Sequence, residues 1–129
     1  VEHSRDLPAF MMLSDLILSC STKPEAFGRV ILEAQAMGRP IIAYNHGGAV
    51  ELLKENENGI LSAVRNTKQL AKNIDLVLSY SNSKRKTLAS KSISNVKKKY
   101  QTKHMTEKTI LTYNRLLKEF NNNEKNISN

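Results

Sequence analysis

The hydrophobic pattern alternates between short continuous apolar runs and longer stretches of helical period. Asp6 can cap a helix that begins near Leu7, with Pro8 in its first turn, where a missing N–H costs nothing. The run Leu16–Cys20 suits a short buried strand, and Ser21–Glu25 reads as a loop. A helix is predicted from about Gly28 to Met37, stopped by Gly38 and barred from continuing by Pro40. Ile41–Tyr44 is the next strand, followed by the turn Asn45–Gly48 and a short helix through Leu53. The cluster Asn56–Gly59 turns the chain into a brief strand at Ile60–Leu61. From Asn66 onward the pattern is helical: Leu70, Ile74 and Leu78 share a face, and Asn66 with Gln69 resembles a capping box. Two further helices are expected over about 84–99 and 104–120, and 121–129 reads as a disordered polar tail.

Strand, helix, strand, helix, strand in succession predicts an α/β fold with a short parallel sheet, flanking helices and a helical C-terminal segment. With 129 residues the chain has room for one domain, here 1–120. Only three strands are evident, and the chain begins at Val1 without an opening strand. The expectation is therefore the second half of a doubly wound, Rossmann-like domain whose first strands are absent.

Composition narrows the class. Apolar residues make up 40% of the chain, as in globular domains, and no run approaches the ~18 apolar residues of a membrane span. The first apolar stretch, Leu13–Cys20, is interrupted by Asp15, so no signal peptide is read. The single cysteine, Cys20, cannot form an internal disulfide; a buried thiol and a cytoplasmic location are expected. The net charge is +8, and from Leu76 to Thr106 no acidic residue appears while eight basic ones do. Such a block attracts anionic lipid or acidic substrates, and the plainer reading is a solvated helical face. With few aromatics and no recognition motif, nucleic-acid binding is not expected. His3, His46 and His104 stand singly, without metal-ligand spacing.

In open α/β sheets ligands collect beyond the carboxyl ends of the strands. That edge would carry Ser19–Gly28 and Asn45–Gly48. Gly28 lets backbone approach a ligand at a helix N-terminus, an anion site, and Gly47 with Gly48 repeats the device one strand over. Glu33 lies five residues past Gly28, roughly 7.5 Å along a helix. A carboxylate there can clamp a diol, or simply face water; Glu25 can meet a second polyhydroxy group, or act as an ordinary first-turn acid. Spacing alone leaves both pairs of readings open.

The wider string PEAFGRVILEAQAMGRPIIA, followed by Gly47-Gly48 and Glu51, resembles the donor-site signature of family four retaining glycosyltransferases of the GT-B fold. The likeness extends upstream through Asp6–Phe10 and Ser14–Ser19, and downstream through Asn58–Leu61 and the Tyr100…Tyr113–Leu117 segment. The resemblance implies that Glu33 binds the ribose hydroxyls of a nucleotide-sugar donor and that Glu25 contacts the transferred sugar. It places Phe27 and Gly28 toward the diphosphate and sugar, Val30 near the ribose, His3 toward the base, and Gly47 and Gly48 beside the cleft. It implies no metal and no cofactor beyond the donor itself. The family's Arg and Lys phosphate clamp and its N-terminal acceptor domain would precede this chain, which then resembles the last third of a transferase from a truncated, split or decayed gene. The activity implied is retaining hexosyl transfer to a cell-envelope saccharide or lipid of the lipopolysaccharide type, with the chain inactive alone and an N-terminal domain supplied by a separate chain. The basic helix at 84–103 would approach an anionic membrane on its inner face. The alternative is a non-catalytic basic module on that surface; a nucleotide-sugar epimerase shares the fold but not the Glu25/Glu33 string.

Overall fold

The structure, a computed structural model, describes residues 6–55 and 57–127, with side chains described to residue 120. Its elements follow the chain as α1 (Leu7–Leu13), β1 (Ile17–Ser19), α2 (Arg29–Ala36), β2 (Ile41–Tyr44), α3 (Ala49–Leu52), β3 (Ile60–Ser62), α4 (Thr67–Leu78), α5 (Asn82–Lys99) and α6 (Thr102–Ile127). All three strands are parallel in the order β1-β2-β3, with Ile17 opposite Ile41 and Ile42 opposite Ile60. The chain divides into two compact units, residues 1–97 and 98–129.

The first unit holds the sheet and its core. Every residue of β2 is buried, as a central parallel strand covered on both faces requires. On one face Ile42 packs with Ile60 and Val77, joined by Leu16, Leu70, Ile74 and Tyr80, so α4 supplies the cover. Alternation along the strand sends Ile41 to the opposite face, where it approaches the Gly59–Leu53 segment, and α2 packs against β1 and β2.

Local chemistry sets the element ends. Asp6 accepts from the Ala9 amide at 3.3 Å and caps α1, as its position predicts. At the other end of α2 a complete Schellman motif forms: the Arg39 amide donates to Ala34 O at 2.9 Å and the Gly38 amide to Gln35 O at 3.0 Å. Gly38 has φ 63°, and a Cβ there would stand 3.1 Å from both Ala89 and Ile93 of α5. The helix stop is thus also a packing point for α5.

Asn66 caps α4 by accepting from the Gln69 amide at 3.0 Å. The expected box forms only by half, because the Gln69 side chain accepts from the Ala63 amide at 2.9 Å instead of the Asn66 amide. The C-terminal carbonyls of α4 are collected by Arg85, whose guanidinium donates to Val77, Leu78 and Tyr80 carbonyls and to Asp15 O of the segment before β1. One member of the basic block is therefore committed to structure. Lys84, Lys86, Lys91 and Lys97 of α5 are exposed, with the Lys84 ammonium 3.9 Å from the centre of the Tyr80 ring.

In the second unit the backbone of α6 continues to Ile127, through most of the segment expected as a polar tail. Its described surface carries i,i+4 ion pairs, Lys103–Glu107 and Arg115–Glu119, beside exposed Ile110, Tyr113 and Leu117. Among the described residues no helix is long and apolar enough to cross a membrane.

Candidate functional site

Parallel strands leave their carboxyl ends on one edge, and here the loops after β1 and β2 meet there. The β1–α2 loop carries Ser21, Lys23 and Glu25 and ends at Gly28, the buried N-cap of α2 with φ 78°. The β2–α3 turn carries Asn45–Gly48. A Cβ at Gly47 would lie 2.6 Å from Glu25 O, and one at Gly48 2.6 Å from Phe27 O, so the two loops touch backbone to backbone. The Gly48 amide donates to Glu25 O at 2.8 Å across that contact. The His46 ring adds a second tie, Nε2 to Ser21 O at 2.9 Å.

Between the loops lies a shallow concavity bordered by Lys23, Glu25 and Gly28 on one side and Tyr44 and His46 on the other. Glu25 and Gly28, both singled out by sequence, therefore share one wall. The concavity encloses ≈ 10 Å³, room for about one water, so a larger ligand would rest against it rather than sink into it. Gly28, the N-cap of α2, lines it and sets the positive end of that helix's dipole at its border, and Lys23 adds a cation.

Glu33 reaches back along α2 toward the helix start, as side chains tilted to the N-terminus do. Its carboxylate meets Arg29 at 3.2 Å and does not border the concavity. The Glu33 side chain is 35% exposed and that of Arg29 84%. Phe27 and Val30, three residues apart, are both open to solvent at 53% and 36%. Gly47 and Gly48 meet the neighbouring loop as described, and Glu51 is exposed in the first turn of α3. His3 lies outside the described residues. Cys20, partly buried beside Ser19 and Ser21, has its thiol pKa raised by burial.

Sequence reasoning overlooked Lys23, Ser21 and Arg29, and it weighed His46 only as a metal ligand. The Arg29–Glu33 spacing of four is a legible helix pair. The His46–Ser21 bond spans 25 residues and leaves no local signature. Among the described residues, no three His, Cys, Asp or Glu side chains gather as a metal-ligand group.

A parallel sheet whose strand ends hold a Gly-capped helix start and paired loops defines a Rossmann-like ligand-binding domain. The chain belongs to the glycosyl transferases group 1 family, whose model matches residues 1–99. Its fold is that of the C-terminal domain of GT-B glycosyltransferases. A glycosyltransferase from Rickettsia africae superposes with a TM-score of 0.85 at 34% identity, over 90% of this chain and 31% of that one. The Anabaena protein Alr3699/HepE, solved in complex with UDP-glucose, gives 0.76 at 32% identity over 85% of this chain and 30% of its own. Spore coat protein SA of Bacillus subtilis is 34% identical over 84% of this chain and 29% of its own length. The chain thus spans about a third or less of each of these three proteins.

Proposed function

We propose that residues 1–120 form the donor-binding portion of a retaining glycosyltransferase that takes a nucleotide sugar. The observation that carries this reading is the shared wall: Glu25 and the Gly28-capped start of α2 border one concavity at the carboxyl ends of β1 and β2. Helix amides and Lys23 suit a diphosphate, and Glu25 suits hydroxyls of the sugar beside it. Phe27 and Val30 offer apolar contact to sugar and ribose. Glu33 would take the ribose diol, exchanging Arg29 for two hydroxyl donors. That exchange is cheap, because an exposed i,i+4 pair contributes only about 0.3–0.5 kcal/mol. The protein would transfer a hexosyl group to a cell-envelope saccharide or lipid acceptor of the lipopolysaccharide type. No metal is required in this reading, since helix amides and basic side chains offset the charge of the leaving diphosphate.

The shallow concavity also supports a division of labour. One wall of this size would hold a donor weakly, so the isolated chain would bind without turnover and rely on an acceptor domain from elsewhere. The exposed lysines of α5 favour a companion role, attraction to an anionic membrane from the cytoplasmic side. A titration of the 129-residue chain with UDP-glucose and GDP-mannose, read by amide chemical shifts, tests the proposal. The expected result is a dissociation constant of about 1 mM or weaker, about −4 kcal/mol, with shifts centred on Glu25–Gly28. Saturating donor with those amides unmoved would overturn the site, and turnover by this chain alone would overturn the division of labour.

A further inference from the structure

The turn after β2 meets the loop before α2 at three of its carbonyls, those of Ser21, Glu25 and Phe27. His46 Nε2 lies 2.9 Å from Ser21 O. A carbonyl oxygen only accepts, so the ring proton sits on Nε2. The Gly48 amide holds Glu25 O at 2.8 Å. Gly47 and Gly48 let backbone pass where a Cβ would come within 2.6 Å of Glu25 O and Phe27 O.

The loop has little else to define it. Residues 22–27 are all exposed, so burial fixes none of them. The hydrogen bonds described inside the loop are those of the Ser21 hydroxyl with Lys23 O at 2.9 Å and the Lys23 amide at 3.3 Å. Ser21 is thus a junction: its side chain shapes the loop and its carbonyl is held by His46. The imidazole is itself half-buried, with its ring centre 6.4 Å from that of Tyr44 at the end of β2. A ring anchored on a buried strand is a stiff support for a loop that lacks one.

We infer that His46 is a positioning residue for donor recognition: its Nε2–H clamps the Ser21 carbonyl so that Glu25 and the first turn of α2 face one ligand. It lines the concavity, and the role assigned to it is exerted through the loop carbonyl that it holds. The inference rests on the donor-site reading above, and the experiment separates the two. In the 129-residue chain, His46→Phe keeps a ring against Tyr44 without the donor, His46→Gln restores an N–H at similar reach, and His46→Ala removes both. Amide resonances of Ser21–Gly28 report the loop, those of α4 report folding, and UDP-glucose titration reports the site.

Both His46→Phe and His46→Ala are expected to shift the Ser21–Gly28 resonances and to weaken UDP-glucose binding about ten-fold, with α4 unchanged and His46→Gln near the parent. Long-range ¹⁵N spectra of the parent should show the Nε2–H tautomer. Loop resonances indifferent to His46→Phe, or His46→Gln no better than His46→Ala, would overturn the clamp. If the parent itself ignores UDP-glucose, the donor reading fails, and the loop resonances still decide the clamp.

Discussion

Glu33 and Arg29 form an i,i+4 ion pair on the surface of α2. Their 3.2 Å contact sits at the surface, with Arg29 84% exposed, so its loss should hardly register in stability. Arg29→Ala is expected to change unfolding free energy by less than about 0.5 kcal/mol in urea titrations. Glu33→Gln should likewise leave stability within about 0.5 kcal/mol yet weaken nucleotide-sugar binding several-fold, because a neutral amide loses the charge-assisted bonds to a diol. Equal donor affinities for parent and Glu33→Gln would remove Glu33 from the site. Cys20 makes a different prediction. Burial raises its pKa, so less thiolate is present at a given pH in the folded chain than in the unfolded one. Iodoacetamide at about pH 8 should label the folded protein more slowly than the urea-unfolded protein. The sign for stability follows: the contribution is whole below the ordinary thiol range and is lost as pH rises through the raised folded value.

Single elements show what the residue pattern could and could not foretell. The span of α2 was legible from Gly28, Gly38 and Pro40, since positive-φ and ring-constrained residues leave few conformations open. Gly38→Ala should cost about 1–2 kcal/mol, from left-handed strain together with crowding against Ala89 and Ile93. Denaturant unfolding checks this, and a loss below about 0.5 kcal/mol would deny the site both constraints. The Asn66 cap was legible too, and the role of Gln69 was not, because the competing Ala63 amide belongs to the turn after β3. The same reason hides Arg85 within a run of lysines: its four carbonyl partners include Asp15, 70 residues away. At the candidate site, Glu25 and Gly28 stand within one short string of residues, while the His46 tie to Ser21 depends on two strands lying side by side. Short-range chemistry shows in the string of residues, and contacts made by topology do not.

For the whole molecule, the +8 charge is the property that reaches furthest from any one site. Lys84, Lys86, Lys91 and Lys97 project from the first unit into solvent, and Lys98, Lys99 and Lys103 from the second. Cosedimentation with phosphatidylglycerol vesicles is expected at about 0.1 M salt and should vanish near about 1 M, as the screening length falls from about 10 to about 3 Å. Neutral phosphatidylcholine vesicles should capture nothing at either concentration. Binding that survives high salt would point to apolar insertion instead. Duplex DNA captured as readily as anionic vesicles would show only an unselective basic surface.

Beneath the site, α3 is four residues long, and its last carbonyl, Leu52 O, accepts two side-chain amides, from Gln35 at 3.1 Å and Asn58 at 3.0 Å. Gln35 is fully buried and also receives Asn95 of α5 at 3.3 Å. This arrangement is redundant by design of the lone pairs: either amide can vanish and the oxygen still has a mate. Its genetics should therefore be synergistic, with Gln35→Leu and Asn58→Leu together costing about 1–2 kcal/mol beyond their sum as the oxygen is orphaned. Additive losses in a double-mutant cycle would mean that solvent reaches the oxygen. A short helix with no side-chain cap at its start keeps its footing through a fastener with a spare.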